Sequence, residues 1–123
     1  MRVTEIESLS SEQFAYVTTT GRRTGNPHEI EIWFGMNART VYILAGGGER
    51  SDTVRNITSN SSVKLRIGQH TFAGSGRVLR EGEEDAMARR LLLAKYEPMY
   101  SGDLKEWGET ALPIAIDLGD EMT

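Results

Sequence analysis

The chain is built of short apolar runs, several alternating with a period of two, cut apart by glycine, asparagine and proline. No other feature limits its possible folds so strongly. Residues 28–34 (HEIEIWF) show the pattern best: Ile30, Ile32 and Phe34 share one face, and Glu29, Glu31 and Trp33 the other. A strand half-covered by a core reads this way, because successive side chains point to opposite faces. Residues 14–19, 40–45, 63–67, 70–79 and 110–118 read as five further strands. The run 40–45 (TVYILA) is apolar on both faces, as a central strand would be.

The connections are hairpin-like. Gly68-Gln69 suits a two-residue turn with glycine first, and residues 35–39 read as another turn. Gly74 and Gly76 mark a bend or a close approach by another backbone, and Pro113 implies an edge or a bulge. Two helices are expected. A short one covers residues 53–60, capped by Ser51 or Asp52, with Val54, Ile57 and Thr58 facing inward. A long one covers residues 81–96. Its first turn is acidic (Glu83, Glu84, Asp85) and Arg89, Arg90 and Lys95 follow, an order that complements the helix dipole. Met87, Ala88, Leu91, Leu92 and Tyr96 form its apolar stripe, and Pro98 stops it. The order β-β-β-α-β-β-α-β argues against a doubly wound parallel sheet. An antiparallel six-stranded sheet must hide its edges, and closure into a small barrel does so. A mainly β (α+β) six-stranded antiparallel barrel with two helices is therefore expected. The 123 residues supply one core, hence a single domain over 1–123.

Charge narrows the partners. The net charge is −4, yet residues 20–66 hold seven cations against four anions. A cationic middle inside an acidic chain suits a small anion. Nucleic-acid modules are usually basic overall or carry a broad basic stripe, so no nucleic-acid partner is expected. No apolar run is long enough for a membrane span, and the polar, acidic start resembles neither a signal nor a transit peptide. A cytoplasmic location is the expectation. With no cysteine there is no thiolate chemistry, and His28 and His70 are too few for a His-rich metal site, so no metal is expected. No local nucleophile signature is present. If the chain is an enzyme, its reactive centre comes from a cofactor, and no catalytic side chain is assigned.

Two segments could receive an anion. Thr18-Thr19-Thr20-Gly21-Arg22-Arg23-Thr24-Gly25 leads a strand into a glycine loop with two guanidinium forks, which match phosphate or carboxylate oxygens. An exposed turn with solvated arginines fits the same residues. Ala45-Gly46-Gly47-Gly48-Glu49-Arg50-Ser51-Asp52 links a strand to a helix. Its glycines permit a nest of main-chain N–H groups, and Asp52 would compete with an anion for them. A flexible hairpin is the other reading. Trp33 could stack on a planar ring or serve as a dimer contact, and Tyr96 and Tyr100 could reach a pocket mouth or simply pack.

Taken together, TTTGRRTGNP, the alternating strand and VYILAGGGERSDTVRNITSNSSVKLRIG resemble the deazaflavin-dependent nitroreductase family, within the flavin and deazaflavin oxidoreductases. The likeness is good over residues 14–68 and looser beyond them. It implies a split β-barrel related to the pyridoxine-phosphate-oxidase-like proteins, usually a homodimer. It implies a deazaflavin coenzyme (coenzyme F420) first and FMN second, with hydride transfer to a small-molecule acceptor: a quinone, nitro compound or enone. Carried over, Arg22, Arg23 and Thr24 would meet the cofactor's phosphate and acidic tail. The strand bearing Ile30, Ile32, Trp33 and Phe34 would lie beside its ring. Ala45, Gly46, Gly47, Arg50 and Ser51 would form the phosphate loop, completed by Arg55 and Asn56. Tyr96 or Tyr100 would shape the substrate side. A non-catalytic cofactor-binding module and an interaction dimer with an empty barrel are the alternatives.

Overall fold

The structure, a computed structural model, describes residues 3–122. Its strands are β1 (Ala15–Thr20), β2 (Pro27–Ile32), β3 (Gly35–Asn37), β4 (Thr40–Ala45), β5 (Ser62–Ile67), β6 (His70–Val78) and β7 (Leu112–Met122). All seven join one antiparallel sheet in the order β2-β1-β5-β6-β7-β4-β3. β2 and β3 stand at opposite ends of that order, yet only Trp33 and Phe34 lie between them in the chain. The steps from Ile32 to Gly35 can span at most ~10 Å. The sheet must therefore curl until its two edges nearly meet, which makes the expected split barrel.

The strand count is seven rather than six. The extra strand is β3, from residues read as a turn. The actual turn is Ala38-Arg39, with Asn37 opposite Thr40 and Ala38 at φ 54°. Trp33 and Phe34 are likewise not part of β2 but form the link across the split.

An apolar cluster on each side of the sheet explains why β4 is apolar on both faces. Val41, Ile43 and Ala45 point into the barrel with Val17, Leu65, Ile67, Phe72, Ile114 and Ile116. Tyr42 and Leu44 point outward, where they pack with Ala88, Leu92 and Tyr96 of the long helix.

The helices are α1 (Val3–Glu7), α2 (Asp52–Ser59), α3 (Glu83–Tyr96) and α4 (Lys105–Thr110). α1 and α4 are additions to the expected pair. Ser51 is the cap of α2, its hydroxyl accepting from the Val54 N–H at 3.3 Å. Val54 and Ile57 of α2 are buried as expected, but Thr58 is exposed and returns its hydroxyl to the Val54 carbonyl. Asn56 takes the inward position instead. Gly76 admits the helix: a Cβ there would lie 2.9 Å from Ile57 Cγ2. The close approach at Gly76 thus comes from a helix side chain.

Pro113 lies on a strand between β6 and β4, not on an edge. Its carbonyl accepts from the Leu79 N–H, 2.9 Å away and just past the last β6–β7 pair, Val78–Ile114. A residue's N–H and C=O point to the same side of a strand, so the missing donor faces the point where β6 has ended.

Candidate cofactor site

The first hairpin loop is held in place by the second glycine segment. After β1 the Gly21 N–H donates to the Asn26 carbonyl and the Gly25 N–H to the Gly21 carbonyl, each at 2.8 Å. The Asn26 N–H donates to Thr24 Oγ1 at 3.2 Å. Gly21 is also a close approach, since a Cβ would sit 2.8 Å from His28 Nε2. Arg22 then bridges to α2: Nη1 donates to Asn56 Oδ1 at 2.9 Å, and Nη2 pairs with Asp52 Oδ1 at 3.2 Å. Asn56 is buried, and its Nδ2 donates to Thr19 Oγ1 at 3.1 Å. Both ends of its amide are thus used on the hairpin.

These contacts wall a cleft of about 340 Å³, lined by Gly21, Arg22, Arg23, Thr24, Asn26, His28, Asp52 and Asn56. The two separately read segments do converge here. The convergence runs through Asp52 and Asn56, whereas Ala45, Gly46, Gly47, Arg50, Ser51 and Arg55 do not line the cleft. Gly47 (φ −78°, ψ −5°) followed by Gly48 (φ 58°) still has the dihedral alternation of an N–H nest. Arg50 is exposed, and Arg55 Nε donates to the Glu49 carbonyl at 3.2 Å. The Asp52 carboxylate turns to Arg22, so it offsets the cleft's charge instead of capping α2. Arg23 is exposed and forms no ion pair among the described residues.

Beyond the other end of β2 lies an aromatic groove of about 490 Å³. It is lined by Phe14, Glu31, Ile32, Trp33, Leu44, Tyr100, Asp103, Leu104 and Trp107. Trp33 stacks flat on Tyr96, with centroids 4.2 Å apart and planes 5° off parallel. Tyr100 and Trp107 meet Trp33 edge-on at 5.8 Å and 5.6 Å. Among the expected residues, Ile32, Trp33 and Tyr100 line this groove, Ile30 packs at the core's margin, and Phe34 is buried inside the barrel.

Tyr96 has a different place from the one expected. It is fully buried, and its hydroxyl donates to the Gln13 carbonyl at 2.6 Å while accepting the Phe34 N–H at 2.9 Å. Lys95 Nζ donates to the Phe34 carbonyl at 3.0 Å and stands 3.6 Å above the Phe34 ring. Phe34 lies where the sheet is split and strands offer it no ladder. These two side chains supply the missing partners. Burial pushes the Tyr96 phenol up to about 12 and the Lys95 ammonium down to about 8.

A third polar cluster lies outside both the cleft and the groove. Arg77 pairs with Glu84 at 2.6 Å and with Asp117 at 2.7 Å, and Tyr42 donates to Glu84 at 2.8 Å. Hydrogen bonds from Arg77 hold both carboxyls below their usual range. This cluster ties β6, β7, β4 and α3 together and lines neither the cleft nor the groove.

Sequence reasoning missed Asn26, His28, Phe14, Leu44, Asp103, Leu104 and Trp107. Trp107, an indole in the polar stretch GDLKEWGET, carried the one available signal. Among the described residues no group of three or more His, Asp or Glu side chains is placed to hold a metal, and no helix is long and apolar enough to cross a membrane.

A family model described as F420H(2)-dependent quinone reductase matches residues 2–119. Solved structures share the fold. An F420-H2 dependent reductase is 21% identical, with 87% of this chain and 94% of that one covered at a TM-score of 0.69. A Listeria innocua protein named for pyridoxamine 5′-phosphate oxidase is 16% identical, with 98% and 95% covered at 0.72. The heme storage protein HutZ of Vibrio cholerae is 13% identical, with 98% and 92% covered at 0.74.

Proposed function

We propose, for a chain that belongs to the F420H(2)-dependent quinone reductase family, that it reduces a quinone in the aromatic groove with coenzyme F420 as reductant. The observation that carries this is the shared strand. β2 begins at the cationic cleft and ends at the aromatic groove, and His28 and Ile32 are ~13 Å apart along it at the usual strand rise. A planar ring bearing an anionic arm asks for this pair of surfaces at about this separation, so the residues present fit the coenzyme.

Arg23, Thr24 and Asn26, with Arg22 behind them, would hold the anionic arm. Ile32, Trp33 and Trp107 would flank the ring. When bound, the reduced coenzyme supplies a hydride. The chain's own contribution is position: Asn56 and Asp52 fix Arg22, and Tyr96 fixes the plane of Trp33 from behind. Leu44 and Leu104 keep water from the groove floor. Tyr100, half exposed at the groove, is the phenol within reach of an acceptor, whereas the Tyr96 hydroxyl is already committed to the main chain. FMN is the second cofactor candidate, nitro compounds and enones are further acceptors, and a homodimer is the proposed assembly.

Fluorescence titration with the deazaflavin coenzyme and with FMN tests the cofactor, and quinone-dependent oxidation of the reduced coenzyme tests turnover. Saturable binding of the deazaflavin with turnover supports the reading. Binding without turnover favours the non-catalytic module, a role consistent with the same fold serving as a heme storage protein in HutZ. Absence of binding to either cofactor refutes both.

A further inference from the structure

The groove and the cleft have opposite electrostatic character. The cleft is lined by Arg22 and Arg23, with Asp52 offsetting one of them. The groove holds the carboxylates of Glu31 and Asp103 and, among its lining residues, no lysine or arginine. Both carboxylates are held in place. Glu31 Oε2 accepts from the Tyr16 hydroxyl at 2.7 Å, and Asp103 Oδ1 accepts the Lys105 main-chain N–H at 2.9 Å. Lys105 therefore meets Asp103 through its backbone and not through its charge.

We infer that the groove selects its acceptor by charge: it takes planar quinones that are uncharged or cationic and rejects those bearing a sulfonate or carboxylate. This rests on the quinone-reductase reading above and names the class of substrate within it. Stacking on the groove's aromatic rings, or on the coenzyme ring once that is bound, is available to any planar acceptor, so aromatic contact alone cannot discriminate. An anionic substituent in the groove meets two oriented negative charges on exposed side chains, a repulsion that acts fully only at low salt. A cation there is attracted both by those charges and by the faces of the aromatic rings. The same polarity admits a coenzyme with an acidic arm in one direction only, arm toward the arginines.

The chain offers a direct reporter. It has two tryptophans, Trp33 and Trp107, and both line the groove. Quenching of intrinsic fluorescence by 1,4-naphthoquinone and by its 2-sulfonate, without coenzyme, reads occupancy independently of turnover. At ~10 mM salt, where the Debye length is about 30 Å, the sulfonate should bind about fivefold to tenfold more weakly. At ~1 M salt, where that length is about 3 Å, the gap should close to about twofold. A Glu31→Gln, Asp103→Asn double variant should close it at low salt as well.

Equal affinity of the two quinones at low salt overturns the inference and leaves the quinone-reductase reading standing. A gap that survives both the salt and the double variant also overturns it, since the discrimination would then be steric. If neither quinone quenches the tryptophans, the groove by itself is not an acceptor site and this inference falls, while the turnover assay above still decides the quinone-reductase reading.

Discussion

Replacing Tyr96 by phenylalanine isolates what the barrel's split demands. The ring keeps its volume, so no cavity forms, and the flat stack on Trp33 at 4.2 Å is preserved. What is lost is one oxygen that donates to Gln13 at 2.6 Å and accepts from Phe34 at 2.9 Å. The Gln13 residue is exposed, and its carbonyl can turn to water, so that bond costs about 1 kcal/mol net. The Phe34 N–H belongs to a fully buried residue with no strand beside it, and leaving it unpaired costs about 1–3 kcal/mol more. The Phe34 carbonyl keeps Lys95 at 3.0 Å and adds nothing to the loss. The variant should therefore be destabilised by about 2–4 kcal/mol, which for a chain of this size lowers Tm by roughly 8–16 °C. Thermal unfolding by circular dichroism measures it, with turnover recorded well below the transition. Retained turnover with the lowered Tm is the expected pair of results. An unchanged Tm accompanied by lost turnover would place the phenol in the chemistry and refute the structural assignment.

The remaining predictions concern charge and one strained turn. Arg23→Ala should weaken binding of the anionic coenzyme about tenfold, whereas Asp52→Asn should tighten it severalfold by releasing Arg22; isothermal titration at low salt reads both. Lys95 has a folded pKa of about 8, below its value of about 10.4 in an unfolded chain, so between those values the unfolded state binds the extra proton. Its burial therefore penalises the fold below pH 8 and the penalty fades as pH rises. The wild type should gain stability between about pH 8 and 10 relative to Lys95→Met, as measured by urea midpoints across that window, and parallel curves would remove Lys95 as the cause. Ala38 holds φ 54° in the exposed β3–β4 turn, so Ala38→Gly should stabilise by up to about 1 kcal/mol, visible as a Tm a few degrees higher.

How much of the protein could be read along its sequence depends on the range of the interaction concerned. Alternation in residues 28–34, the glycine-first turn at Gly68 and the acid-to-base gradient of residues 81–96 are set by neighbours a few positions apart. Strands, hairpins and the long helix, and with them an antiparallel sheet, follow from those local preferences. The cationic loop was legible for the same reason, since its glycines and arginines are contiguous. β3 was not: three residues of weak preference become a strand only because Thr40, Val41 and Tyr42 are there to pair with them. The aromatic groove was not legible either. Its walls come from Phe14, residues 31–33, Leu44 and residues 100–107, which no local pattern joins. The role of Tyr96 was hidden most deeply, because nothing in a helix sequence announces an orphaned N–H 62 positions away. That need arises only when the sheet curls and leaves Phe34 at the split. Pairing across such distances is an outcome of closure, and closure is a property of the whole chain.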